Sequence, residues 1–176
     1  MQPVRISSKV KRGHVQFYTD KNGNGARRYW INDTILCGGS ILNHQDYQHL
    51  RTNLGVTGVM NFCNTTKDPD GIEHYIHLPF PDTGAAIPHS LIHTALAFAK
   101  RHIERVGPVL YVHCALGGSR GPSMSYAVCR GVLGMEPQEI FDAIAAGHPL
   151  YLQWKETGNP KQYLKDIEEA LLTWVG

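Results

Sequence analysis

A short, wholly apolar run, Val109-Leu110-Tyr111-Val112, passes through His113-Cys114 into a loop of small residues, Ala115-Leu116-Gly117-Gly118-Ser119, and ends on Arg120-Gly121-Pro122. Four apolar residues without alternation fit a central strand buried on both faces, and such strands occur where helices cover both sides of a sheet. Pro122 can open a helix, because its missing N–H has no partner in the first turn anyway. Strand, tight glycine turn and helix in succession make the backbone N–H groups of the turn converge on one spot. Negative charge is favoured there by those amides and by the helix dipole. Gly117 and Gly118 let the chain curl with no Cβ in the way. The same field favours the thiolate of Cys114, and Arg120 can clamp two oxygens of a phosphate with its planar fork, which lysine cannot do.

Around this unit the punctuation predicts an alternating strand and helix body. Short β-rich runs at residues 29–31 and 35–37 precede a helix over about 44–53, stopped at Gly55. Strands at 58–63 and 74–78 flank the loop Lys67-Asp68-Pro69-Asp70-Gly71. Leu91, Ile92, Ala95, Leu96, Ala99 and Ile103 recur at helical spacing before Gly107-Pro108. Later helices open at Pro122, at Pro137 and at Asn159-Pro160, with Asn159 as the expected cap of the last. With 176 residues the chain suits one domain. The expected architecture is α/β in three layers, a central mixed sheet with helices on both faces.

Hydrophobic residues at 42% and charged residues at 18% exclude intrinsic disorder. The longest apolar stretch, residues 95–99, is far short of the roughly 18 residues of a membrane span, and no apolar core follows the charged start that a secretory signal would need. Four cysteines without a CxxC pair point to a reducing, cytoplasmic setting. Net charge hides an asymmetry, because residues 1–30 carry +6 and the remainder −4. Residues 1–28 read as a basic leader carrying solubilising charge, with contact to nucleic acid or acidic lipid as the alternative, and 29–176 as the domain proper.

The histidine, the cysteine, the five-residue spacing to arginine and the glycine at Gly117 resemble the active-site loop of cysteine-dependent protein tyrosine phosphatases, specifically their compact dual-specificity branch. The resemblance extends over roughly residues 29–172. Asn53-Leu54-Gly55-Val56-Thr57-Gly58-Val59 is similar to the entry into that family's second main strand, and Leu78-Pro79-Phe80-Pro81-Asp82 to the loop bearing its general acid. Asp82 lies 32 residues before Cys114, a spacing usual in compact members, and Asn159-Pro160-Lys161-Gln162-Tyr163-Leu164 falls where their last helix starts. The resemblance implies Cys114 as nucleophile, Asp82 as general acid and Arg120 as phosphate clamp. Ala115, Leu116, Gly117, Gly118 and Ser119 would bind phosphate with Arg120, and His113 would support the loop; Cys63, ending a strand expected beside the cysteine strand, is a candidate redox partner of Cys114, with a packed strand cysteine as the alternative. It implies no metal and no cofactor. The partner it implies is a phosphorylated protein bearing phosphotyrosine or phosphoserine/threonine.

The chief departure is Gly121, where that branch carries a hydroxyl that helps the cysteine leave from the phosphoenzyme. A weakly active phosphate-binding pseudophosphatase is therefore the non-enzyme alternative. Arg120-Gly121-Pro122 also fits the rhodanese-like fold of some cell-cycle phosphatases and arsenate reductases, against which stand the Asp82 loop and the long helix after it. The loop holds no basic residue besides Arg120, so polyanionic substrates such as phosphoinositides and RNA 5′-phosphates, with phosphorylated glucan, stand as alternatives to protein.

Overall fold

The computed structural model describes residues 15–176. In chain order its elements are β1 (Val15–Thr19), β2 (Gly25–Trp30), β3 (Ile35–Gly38), α1 (His44–Asn53), β4 (Gly58–Asn61), β5 (Tyr75–His77), α2 (His89–Arg105), β6 (Leu110–His113), α3 (Arg120–Gly131), α4 (Pro137–Gly147), α5 (Tyr151–Thr157) and α6 (Asn159–Leu171). The strands form one sheet in the order β1-β2-β3-β6-β4-β5. β6 pairs in parallel with β3 and β4, β4 with β5, while β1 and β2 add antiparallel at the β3 side. The apolar run is thus the inner strand its composition implies.

Alternation along the parallel strands feeds two cores. Leu36, Val59 and Tyr111 meet Tyr47 and Leu50 of α1 on one face. Cys37, Met60, Leu110 and Val112 meet the apolar stripes of α2, α3, α4 and α6 on the other, where Ile92, Ala95, Leu96 and Ala99 of α2 are fully buried. The result is the three-layer α/β fold with a mixed sheet. No helix among the described residues is long and apolar enough to cross a membrane.

The start of the chain differs from expectation. The boundary between residues 28 and 29 falls inside β2, and Asn22-Gly23-Asn24-Gly25 is the turn of a hairpin in the sheet. Asp20 Oδ1 accepts from the N–H groups of Asn22 and Asn24, and Gly23 takes φ 81°. Two of the leader's arginines are structural: Arg27 donates to the Gly147 carbonyl, and Arg28 is buried against Asp46 of α1 with Nη2 and Oδ2 2.5 Å apart. Their strand was hidden because buried arginine needs a counter-charge that sequence cannot locate. The rest of the leader, residues 1–14, lies outside the described residues. Asp46→Ala should cost about 3–5 kcal/mol in urea unfolding at unchanged slope, since it leaves a buried guanidinium unpaired. The double variant Arg28→Met/Asp46→Leu should recover much of that loss.

Helix α5 was not foreseen, since Tyr151 is buried but Leu150 and Leu152 at its start are exposed and set up no helical stripe. Helix α3 opens at Arg120, two residues before the proline, and Gly158 rather than Asn159 precedes α6.

Candidate active site

Residues 114–119 curl from the end of β6 into α3 over the end of β3. The Cys114 N–H donates to the Gly38 carbonyl at 3.4 Å. Gly117, at φ 74°, packs so closely on that strand that a Cβ would fall 2.5 Å from the Gly38 carbonyl carbon, so only glycine fits. The loop's outer carbonyls are held from below. The Ser40 N–H donates to Ala115 O (2.9 Å), the Ser40 hydroxyl to Cys114 O (3.3 Å), and the Tyr29 hydroxyl to Gly117 O (3.1 Å). In a planar peptide the N–H points opposite to its carbonyl, so the amides of Ala115, Leu116 and Gly118 turn inward. Amides turned this way are what an anion cradle requires. His113 is fully buried, with Nε2 2.7 Å from Asp68 Oδ2 and Nδ1 3.1 Å from Cys114 O. Asp68, a loop residue no sequence rule singles out, thereby fixes the imidazole beneath the cysteine.

Arg120 opens α3 with its side chain 5% exposed. Its Nη1 donates to Phe80 O (2.9 Å), Asn64 Oδ1 (2.8 Å) and Phe62 O (3.4 Å), which locks the fork. Its Nε is buried and has no hydrogen-bond partner among the described residues. A buried, preorganised guanidinium N–H in this position is a donor for a bound anion. Asp82 Oδ1 accepts from Ser119 Oγ (2.9 Å), Asn159 Nδ2 (3.1 Å) and the Tyr163 hydroxyl (3.1 Å). Its Oδ2 lies 3.9 Å from Arg120 Nε. Three donors on one oxygen orient the carboxyl and leave Oδ2 on the side of the arginine. Asn159 and Tyr163 of α6 therefore aim the aspartate, a role visible only once α6 is placed against the Asp82 loop.

Asp82, Cys114, Ala115, Leu116, Gly118, Ser119 and Arg120 line one cavity of 390 Å³. Gly117 stays under the loop. His148, which has no signal in the sequence, and Trp154, whose aromatic ring reads from sequence as core, complete the wall. Cys63 follows β4, and its Sγ accepts from Thr66 Oγ1 (3.0 Å) and lies 3.3 Å from Thr65 Oγ1. Burial raises a thiol, but here the two hydroxyls outweigh it and bring Cys63 down to about 7. Another sulfur also approaches the loop. A Cβ on Gly121 would sit 3.4 Å from Cys37 Sγ and 3.5 Å from Cys114 Sγ. Burial pushes the Cys37 thiol up to about 12, so it stays protonated.

Position 121 thus has room for a side chain whose hydroxyl would reach the Cys114 sulfur. The two nearby serines do not replace it. Ser119 Oγ is given to Asp82, and Ser123 Oγ donates to Ser119 O and contacts the Tyr151 hydroxyl. Breakdown of a phosphocysteine should then limit turnover. Rapid mixing with nitrophenyl phosphate should give a burst of about one product per enzyme, and Gly121→Ser should raise the steady rate by roughly ten- to a hundred-fold with the burst rate nearly unchanged. A linear time course from the first turnover, unaltered by the serine, would refute this.

No protein-family model matches the chain. Over 137 residues it is 29% identical to "Phosphatidylglycerophosphatase and protein-tyrosine phosphatase 1" of Rattus norvegicus, covering 70% of this chain and 69% of that protein. Among solved structures, human DUSP28 matches with TM-score 0.66 at 19% identity over 83% of this chain and 95% of its own. PTPMT1 in complex with PI(5)P matches with TM-score 0.61 at 19% identity over 82% and 97%. The strand order and these likenesses define the class of fold, that of the cysteine-dependent protein tyrosine phosphatases, and the cysteine loop agrees with it. Within it the resemblance is to the atypical dual-specificity type, and the rhodanese-like alternative falls away.

Proposed function

We propose that this phosphatase removes single phosphates from proteins, from phosphotyrosine and from phosphoserine or phosphothreonine, through a phosphocysteine on Cys114. The observation that carries the chemistry is Arg120, locked by three acceptors yet with Nε making no hydrogen bond among the described residues, in one cavity with Cys114 and Asp82. The Cys114 thiolate attacks phosphorus in line. The bond to the leaving oxygen breaks, its electron pair stays on that oxygen, and Asp82 supplies the proton. Loop amides and Arg120 hold the three equatorial oxygens, where the transition state spreads its charge. Asp82, now ionised, takes a proton from water as it attacks. The phosphorus–sulfur bond breaks, the pair returns to Cys114, and inorganic phosphate leaves. A free thiol suits a reducing, cytoplasmic setting.

Among the described residues Arg120 is the single Lys or Arg lining the cavity, which fits a monophosphate on a neutral or apolar stem better than a polyanion. A lipid phosphate monoester is the second reading, and a specific observation favours it. Leu116 in the cavity lining is 86% exposed, and Leu150 and Leu152 at the start of α5, the helix that carries Trp154, are 53% and 39% exposed. The rat relative is named a phosphatidylglycerophosphatase as well as a protein-tyrosine phosphatase, while PTPMT1 was solved in complex with PI(5)P. Phosphopeptides, phosphatidylglycerophosphate and phosphatidylinositol 5-phosphate in vesicles, phosphorylated glucan and RNA 5′-triphosphate, assayed side by side, test the choice. Preference for peptides by an order of magnitude in kcat/KM supports the first reading. The reverse preference for a vesicle substrate replaces it.

A further inference from the structure

The cavity wall holds one polar side chain that the chemistry above does not use. His148 caps the end of α4, where its N–H bonds the Ile144 carbonyl, and packing fixes its ring. The ring centroid lies 5.1 Å from that of Trp154 and 6.4 Å from that of Tyr29. It also rests on the loop. A Cβ on Gly118 would fall 3.1 Å from His148 Nε2 and 3.0 Å from the Trp154 ring, so residue 118 is a glycine that admits two aromatic walls rather than a turn. Nδ1 is buried, and among the described residues neither ring nitrogen has a hydrogen-bond partner in another residue. Polar groups in such places are ordinarily satisfied, and an imidazole with nothing to bind on the rim of an anion cradle calls for a ligand.

We propose that His148 is a substrate-binding residue of this phosphatase, its Nε2–H donating to an oxygen of the phosphate held at the Gly118 side of the loop, with Trp154 shielding that bond from water. The inference rests on the cradle at Cys114 holding phosphate, as set out under the proposed function. The Gly118 amide turns inward because Tyr29 holds the carbonyl before it, so the oxygen which that amide binds lies on the side of the loop where Nε2 sits. Burial disfavours the charged imidazole, a contact with its own main chain favours it, and Arg27 of β2 disfavours it, with the net effect below the ordinary histidine value. His148 is therefore neutral near pH 7, with one N–H to give. The other groups facing it are the neutral Tyr29 hydroxyl and, across the cavity, Asp82, Cys114 and Arg120. Lys155, beside Trp154, is paired with Glu156.

His148→Phe keeps the packing and removes the donor. It should raise KM for nitrophenyl phosphate and the inhibition constant of inorganic phosphate about ten-fold, with kcat changed less than about threefold, because the attacking and proton-transferring groups are untouched. His148→Gln should recover part of the loss. The ratio of the two inhibition constants, wild type against His148→Phe, cancels the titration of phosphate itself. That advantage should grow as pH falls through the lowered pKa, because the protonated ring makes a charge-assisted bond. In the wild-type protein, inorganic phosphate should shift the nitrogen resonance of His148 Nε2. KM and inhibition constants within twofold in a folded His148→Phe, or an unmoved Nε2 resonance while phosphate binding is seen elsewhere in the loop, would overturn the proposal. A wild-type protein that neither hydrolyses a phosphate ester nor binds phosphate in the loop would overturn the proposed function instead, and this inference with it.

Discussion

Cys114→Ser will lower hydrolysis of nitrophenyl phosphate by about 10⁴-fold or more while inorganic phosphate or tungstate still binds within a few-fold of the parent affinity. On the proposed mechanism hydrolysis falls because the attacking atom is gone: a hydroxyl in this cradle has no general base beside it, since that mechanism has Asp82 give its proton to the leaving group. Binding persists because the cradle is made from other parts. Its floor is the main chain of residues 115–119, aimed by Ser40, Tyr29 and His113, and its wall is an arginine held by Phe62, Asn64 and Phe80. Steady-state assays joined to calorimetric titration with tungstate separate the two quantities. Retention of more than a few per cent of activity would remove the covalent mechanism, and loss of binding together with activity would mean that the sulfur itself organises the loop.

With Asp82→Asn the size of the effect should depend on the substrate. Phenol is a poor leaving group and needs a proton as its bond to phosphorus breaks, whereas nitrophenolate leaves unaided. The variant should therefore lose on the order of 10²- to 10³-fold on phenyl phosphate and only a few-fold on nitrophenyl phosphate in the burst phase. The asparagine is nearly isosteric, and Ser119, Asn159 and Tyr163 can still donate to its carbonyl oxygen, so the loop should stay in place. Equal losses on the two substrates would take Asp82 out of the general-acid role and leave it as a partner of Arg120 alone.

The central strand, the glycine loop and the helix after it were legible because each depends on neighbours in sequence: an apolar run, a left-handed glycine, a proline in the first turn. Residues 114–120 and Asp82 were legible for the same reason, aided by the family resemblance. What escaped depends on neighbours in space. Asp68 supports His113 from 45 residues away, Asn64 and Phe62 grip Arg120, and Asn159 and Tyr163 reach Asp82 from the last helix. None of these has a local pattern, since a single hydrogen bond constrains one residue type at one position and leaves no period to read. The N-terminal hairpin escaped for a related reason. Its second strand carries Arg27 and Arg28, which read as solvated charge until α1 and the end of α4 supply a carboxylate and a carbonyl. His148 and Trp154 sit around a short helix with no amphipathic stripe, so the far wall of the cavity was the least legible part of the site.

Because β2 lies along β3, the strand under the catalytic loop is flanked on both sides rather than at an edge, and the Gly39 N–H is tied back to the Arg27 carbonyl at 3.1 Å. The loop cannot lift off Gly38 without disturbing two ladders at once. Local opening is thereby denied to this part of the molecule, and its slowest-exchanging amides should be found where many enzymes keep their most labile ones. The Cys114 and Gly39 N–H groups should exchange with solvent only as the whole domain unfolds, while exchange at the Asp82 loop runs ahead of them.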